Sequence, residues 1–428
     1  MVTIRPFRAV HYNRAAVGDL SRVVAPPYDV IDEAHRDRLY DRSPYNVIRL
    51  ILNRDADRYG SAAKAYAEWR AEKVLVHDPE PCLYYYVQDF ALPDGRGCRR
   101  AGCITALRLE SFDSGNVRPH ERTFPKAKAD RLKLLNACKA NLSPIFGMYA
   151  DRLDALAPAR AQSEREEAWI DVLDEKGDRH RVWRLHDEQT IATLQRALAD
   201  ATVFIADGHH RYETALAYRD QCRAAGDADP DAPHNFMLVY LTSMDEPGLR
   251  VFPTHRIWRG EPPEEFAAKL EKHFDIQDLA ATEAGERQLL AALNNGPEAG
   301  CLGLRMFAGH RCCLLRLRDR AAFDTAFADL HPSVRYLDVT VLDAYLLRTV
   351  FGIDCTKAAQ EGVLTYTHDD TEALALARTG KGISFLLHVP RMAEIEAVCL
   401  ADQTMPEKST YFYPKLWSGL VIHSLQER

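Results

Sequence analysis

The chain has 428 residues, 46% of them hydrophobic and 27% charged, with a formal net charge of −7. That length can carry two or three domains with cores of their own, and the composition is that of an ordinary globular protein. The negative charge speaks against a broad face for nucleic-acid phosphates. No apolar run approaches the roughly 20 residues that span a bilayer, and MVTIRPFRAVHYNR lacks a signal-peptide pattern, so a cytoplasmic protein is expected.

Residues 1–115 read as mixed α/β with a strong sheet component. SAAKAYAEWRAEKVL is helical, with Ala62, Tyr66 and Trp69 on one face. LYYYVQDF (83–90) and AGCITALRL (101–109) flank a PDGRG turn and predict a hairpin. From Asn116 a proline-punctuated extended piece leads into a helix carrying Leu132, Leu135 and Cys138 on one side. ALAPARAQSEREEA is a linker or an exposed helix, and WIDVLDEKGDRHRVWRL a hairpin turning near Lys176–Gly177. EQTIATLQRALAD then forms a helix with Asp187 as N-cap and Ile191, Leu194 and Leu198 inward. FMLVYLT (236–242) is a buried strand. In the last third helices and strands alternate, with a long helix around LDVTVLDAYLLRTVF. The ten cysteines include no Cys-x-x-Cys pair and read mostly as small buried hydrophobes. The fold class is α+β (mixed α/β).

The segment TVFIADGHHR (202–211) carries the most chemistry. An apolar strand ends in Asp207, Gly208 permits a tight turn, and His209, His210 and Arg211 open a helix. Such a junction gathers backbone N–H groups and the positive end of a helix dipole, an environment suited to a phosphate. A polar turn with surface histidines is the plain alternative. His120, Glu121, Arg122 and Thr123 precede a helix, and Glu121 could be a general base or a solvated loop carboxylate. Near the end, Lys408, Ser409 and Thr410, with Lys415, suit phosphate or carboxylate oxygens, or form a strand edge with solvated lysines. PTHR (253–256) offers His255 and Arg256 after a strand, and APPYDVI (25–31) presents Tyr28 and Asp29 from a stiff Pro26–Pro27 pair. Walker-type, dinucleotide-binding, kinase-loop, zinc-hydrolase and nucleophile-elbow motifs are all absent from the sequence.

With IRPFRAV, APPYDVI, HERT, ADGHHR, PTHR and KSTYFYPKL in this order, the chain resembles a widespread bacterial family of unknown function. VRPHERTFPKAKADRLKLLNA followed by FIADGHHRYETAL is, in addition, similar to the two halves of the ParB/sulfiredoxin fold, which includes free serine kinases. The insertion between the halves is much longer here than in the short kinases.

That resemblance implies a ParB/sulfiredoxin-like core at 116–258, between an N-terminal mixed region (1–115) and a C-terminal α/β region (259–428) whose tail is a candidate to complete the site. It implies a kinase transferring a phosphoryl group to the hydroxyl of free L-serine from ATP, ADP or pyrophosphate. Glu121 would be the catalytic glutamate, Asp207 the contact to the serine amine, and the Gly208–Arg211 turn the phosphate grip, with His209 at the reacting centre. Lys408, Ser409, Thr410 and Lys415 would assist phosphate or nucleotide binding, and His120, Thr123, His255 and Arg256 the substrate. Mg²⁺ is expected from phosphoryl-transfer chemistry, its ligands unknown, with no organic cofactor. The partners expected are a small-molecule substrate and a phosphate donor, with no nucleic acid and no membrane; a homodimer stays open. The alternatives are a phosphate- or nucleotide-binding regulatory protein without transfer activity, and a phosphohydrolase.

Overall fold

The computed structural model describes residues 1–123, 125–295, 301–306, 311–379 and 382–426, without the side chains of 125–127. The HERT-to-helix passage of the sequence therefore crosses residues outside that description. The chain is mixed α/β with several sheets. It forms two compact units: Met1–Pro119, Thr123–Arg250 and Pro414–Arg428 make the first, His120–Arg122 and Val251–Tyr413 the second.

The first unit is built on a nine-stranded sheet. Its strands are β1 (Ile4–Arg5), β2 (Leu83–Ala91), β3 (Gly97–Arg108), β4 (Val117–Pro119), β5 (Ile145–Tyr149), β6 (Ile170–Leu173), β7 (Arg179–Leu185), β8 (Val203–Asp207) and β9 (Phe236–Ser243). The order is β4-β8-β5-β9-β3-β2-β7-β6, with β1 also on β3. β8 runs parallel to β4 and β9 parallel to β5, and the remaining pairs are antiparallel. The expected hairpins at 83–108 and 170–185 are both present. β8 and β9 lie inside the sheet and are buried on both faces, which is why they read as continuous apolar runs rather than alternating ones.

Helices α1 (Arg58–Ala71), α2 (Pro125–Cys138), α3 (Glu188–Ala199) and α4 (His209–Ala224) are the longest of this unit among the described residues. α2 packs against both α1 and α4. Ala62, Tyr66 and Trp69 of α1 are buried, as their spacing predicts. α3 is capped by the Asp187 carboxylate, which accepts from the Thr190 amide, and sends Leu194 and Leu198 into a core shared with Leu83, Val87, Leu107, Ile205, Tyr212 and Val239. That core joins strands from both sides of residue 115. The expected boundary at 115/116 therefore falls inside one sheet, because the β3–β9 pairing that unites the two stretches is invisible to local pattern.

The second unit has a six-stranded antiparallel sheet of β10 (His255–Trp258), β11 (Phe274–Leu279), β12 (Cys301–Met306), β13 (Arg311–Leu317), β14 (Leu364–Thr367) and β15 (Ile383–Leu386), in the order β11-β13-β12-β15-β10-β14. α5 (Glu283–Asn294) and α6 (Asp370–Arg378) cover it, burying Leu289, Leu293 and Leu374 against Ile257, Leu314 and Leu386. Within this unit Glu286 is buried and takes Arg305 Nε at 2.8 Å and Arg378 Nε at 3.0 Å. The long helix expected around LDVTVLDAYLLRTVF is a short α turn, Asp338–Thr340, running into a π-helical stretch, Val341–Val350. His255 and Arg256 follow the short strand Arg250–Pro253, as expected, and themselves open β10.

Candidate functional site

The junction at 203–211 has the strand–turn–helix geometry that its sequence predicts. β8 loses register against β5 between Ile205 and Asp207, and the bulge re-aims the Asp207 side chain at the strand's end. Gly208 then takes φ +94° and ψ 26°, a left-handed conformation that costs glycine little. A Cβ there would lie 2.8 Å from Ile145 Cγ2 and 2.9 Å from Arg211 Nη2, so the turn has no room for a side chain. α4 begins immediately, with His209 buried and His210 half-buried, and its N-cap residue, Gly208, has no side chain to cap it.

Two cations converge on Asp207. Arg211 donates from Nη2 to Oδ2 at 2.9 Å and from Nη1 to the Pro144 carbonyl. The Lys415 ammonium donates to Oδ1. Burial by itself would raise the Asp207 carboxyl; Lys415 and then Arg211 outweigh it and hold the group well below the usual carboxylate range. Lys415 reaches this position because buried Arg100 donates to the Pro414 carbonyl at 2.6 Å and Gln88 Nε2 donates to the Lys415 carbonyl at 3.1 Å. The Arg100 guanidinium lies over the Phe146 ring, 4.6 Å from its centroid. Arg100 and Gln88 have no motif around them: Arg100 sits beside Arg99 just after the polar PDGRG turn, so no sequence signal marked either residue.

Beside the junction, Tyr28, Arg131, Ser143, Arg211 and Thr214 share a small cavity of about 60 Å³ with apolar residues including Leu134, Leu142 and Met237. Tyr28 comes from APPYDVI, and the Arg131 guanidinium stacks on its ring at 4.0 Å. Thr123 donates from Oγ1 to Glu213 Oε1 at 2.8 Å, and Lys128 Nζ donates to the other oxygen of the same carboxylate at 2.6 Å.

Other sequence candidates belong to the second unit. Glu121 accepts from the Ser409 amide at 2.8 Å through Oε1 and forms a backbone bridge with Met405. His120 is buried, its Nε2 2.7 Å from Thr410 Oγ1. Glu407 stands near: burial and then the Glu121 charge raise its carboxyl. Ser409 Oγ donates to the Pro406 carbonyl, and exposed Lys408 takes a positive φ of 58°. Lys415 and the Lys408–Thr410 group, grouped together by the sequence, thus have different partners: Asp207 for the first, and Glu121 and His120 for Ser409 and Thr410.

His255 and Arg256 are fully buried and have partners within their own unit. His255 Nδ1 accepts from the Leu387 amide and Nε2 lies 2.7 Å from Asp370 Oδ1. Arg256 grips both oxygens of Asp343, at 3.1 and 2.8 Å, and donates to the Lys408 carbonyl. Those contacts make both residues supports of the β10 region and of the 407–408 turn; the substrate-binding role expected of them is corrected on this ground.

The expected Mg²⁺ fits this junction poorly. Both oxygens of Asp207 are held by cations, and the described residues contain no group of three or more His, Cys, Asp or Glu side chains able to hold a metal ion. Nor is any helix among the described residues long and apolar enough to cross a membrane.

The chain belongs to the family described as protein of unknown function (DUF1015), whose family model matches residues 4–340. No curated protein matches it. Similar solved structures include a variant of a free serine kinase in complex with ADP, at 11% identity over 73% of this chain and 87% of that one, with a TM-score of 0.37. A conserved hypothetical protein from Pyrococcus furiosus (11% identity, 74% and 92% covered, TM-score 0.35) and SbnI with a C-terminal truncation from Staphylococcus aureus (10%, 76% and 89%, 0.36) are further examples. Likenesses at these scores carry no argument about what this chain does.

Proposed function

We propose that the chain is a small-molecule phosphotransferase of ParB/sulfiredoxin-like architecture, with the hydroxyl of free L-serine as acceptor and ATP, ADP or pyrophosphate as donor. The observation that carries this reading is the left-handed Gly208 turn, which brings the N-terminus of α4 beside half-buried Asp207 and its two cations. Donor phosphates are stabilised by the first turn of α4, His210 and Arg211, where helix dipole and guanidinium act in a partly desolvated place. Asp207 keeps its negative charge at every physiological pH. Exchange of the Lys415 ammonium for a substrate ammonium would let it hold serine by its amine.

A general base, the role that the resemblance assigns to Glu121, takes the hydroxyl proton as the serine oxygen bonds to phosphorus and the bond from phosphorus to the donor's bridging oxygen breaks. Serine as acceptor and Glu121 as base rest on the resemblance of the HERT and ADGHHR segments to free serine kinases.

A phosphorus-NMR screen of ATP, ADP and pyrophosphate against serine, threonine, homoserine and inositol tests the proposal. O-phosphoserine forming with the wild type and not with Glu121→Gln, while Glu121→Gln still binds the donor, is the expected result. Donor hydrolysis at the same rate with and without serine would instead make the protein a phosphohydrolase. Donor binding with no turnover would make it a regulatory binder.

A further inference from the structure

The opening IRPFRAV segment has no task at the Gly208 junction. Arg5, Phe7 and Arg8 of this segment line a separate cavity of about 220 Å³ in the first unit, together with His77, His423 and Ser424. Arg5 ends β1, paired to β3 at Ala106, and Phe7 bridges to Cys82, so the segment's backbone is held on the sheet. His423 and Ser424 arrive from the other end of the sequence, in a short strand paired with Ala140–Asn141.

The polar groups of this cavity are unevenly satisfied. His423 is 4% exposed, its ring packs edge-on to Phe7, and its Nδ1 is cut off from solvent with no hydrogen-bond partner. Buried ring nitrogens normally find a partner, and His423, which lines the cavity, has one still to satisfy. The charges point the same way. Arg8 is exposed and spends Nε on the Asp78 carbonyl at 2.8 Å, while its two Nη groups have no partner among the described residues. Arg5 donates to the Asp231 carbonyl, and its charge, after burial, helps hold the His423 ring neutral, down to about 3. Asp231, the acidic residue at the cavity, has its carboxylate 3.4 Å from Arg108. The lining is therefore positive overall, with two guanidinium groups, a hydroxyl and an unpaired imidazole nitrogen.

We propose that this cavity binds a small oxyanion, a phosphate or carboxylate group on a molecule of metabolite size, as a second site independent of the Gly208 junction. One water occupies about 30 Å³ of liquid, so the volume holds an oxyanion and several further heavy atoms. Guanidinium forks suit both phosphate and carboxylate. When the His423 ring turns its closed-off Nδ1 toward the cavity, it supplies a hydrogen bond in the tautomer the ligand selects, with no change of charge needed.

Histidine-selective ¹⁵N labelling of the full chain reads this site alone, with the His423 signal assigned by its loss in His423→Gln. Inorganic phosphate is titrated in one arm and acetate in another. The expected result is a saturable shift of the His423 signal with at least one of them, its affinity falling about tenfold in Arg8→Gln and unchanged in Arg211→Gln. Arg8 is exposed, so its variant keeps the fold. A response to phosphate alone assigns the site to phosphomonoesters, and a response to acetate extends it to carboxylates. No saturable shift with either anion, or equal affinity in wild type and Arg8→Gln, overturns the proposal.

Discussion

Replacing Asp207 by Asn removes one negative charge and leaves the Lys415 ammonium and the Arg211 guanidinium facing a neutral amide. The side chains of Asp207, Lys415 and Arg211 are 18%, 11% and 12% exposed. Removing one partner of a buried ion pair costs about 3–5 kcal/mol, and this residual exposure puts the loss at the low end, ~3 kcal/mol. With a urea slope of about 3 kcal/mol/M, the midpoint of the first unit should fall by about 1 M, read by tryptophan fluorescence. The pH dependence is fixed in sign. The folded carboxyl lies below its unfolded value of about 3.9, so the stabilisation is complete above that value and is lost as pH falls through the folded one. The gap between wild type and Asp207→Asn should be constant from about pH 8 to 5 and shrink below about 4. A gap under about 1 kcal/mol at neutral pH, or one that widens on acidification, refutes the account of Asp207 as a doubly paired buried anion.

Gly208→Ala should cost about 1–3 kcal/mol, since it meets both a left-handed φ and a 2.8 Å approach to Ile145; isothermal titration with pyrophosphate should show weakened binding even where thermal denaturation shows the variant folded. Arg100→Met keeps the bulk over Phe146 but frees the Pro414 carbonyl, and should release Lys415 from Asp207, seen as a Lys415 that is acetylated faster than in the wild type by mass spectrometry. Glu286→Gln in the second unit leaves Arg305 and Arg378 short of a charge, and should lower stability by about 3–5 kcal/mol in urea unfolding while anion binding at the first unit persists. Thiol titration of the native protein at pH 8 should modify Cys98 and Cys222, both partly accessible, and spare the rest. Burial pushes the Cys82 thiol up to about 11 and those of Cys138, Cys313 and Cys355 to about 12.

Local chemistry made much of this molecule readable. The PDGRG turn between two strand-forming runs, the Asp187 cap and the glycine between an apolar strand and a polar helix start are short-range signals, and each element formed where its residues indicate. What stayed hidden is long-range. Nothing near Asp207 announces that Lys415 will pair with it, or that Arg100 and Gln88 hold the segment that delivers Lys415. The PTHR segment misled because a histidine and an arginine side by side look available, whereas strand pairing in β10 turns both inward onto Asp370 and Asp343. The division into two units was equally illegible: it depends on the β3–β9 ladder and on the return of the last residues, neither of which leaves a compositional trace.

That return sets an order of events during synthesis. Ser418 bridges to Ala25, Ile422 to Val10, and His423–Ser424 to Ala140–Asn141, so the first unit is closed by residues translated after all of 251–413. At about 5–20 residues per second the ribosome takes on the order of ten to thirty seconds to deliver that stretch. Throughout this interval the nascent unit has an Asp207 without its lysine and an open seam beside Val10 and Ala25. Any arrest of elongation within that window leaves a half-closed domain exposed to chaperones and proteases, while the intervening unit is already long enough to collapse on its own.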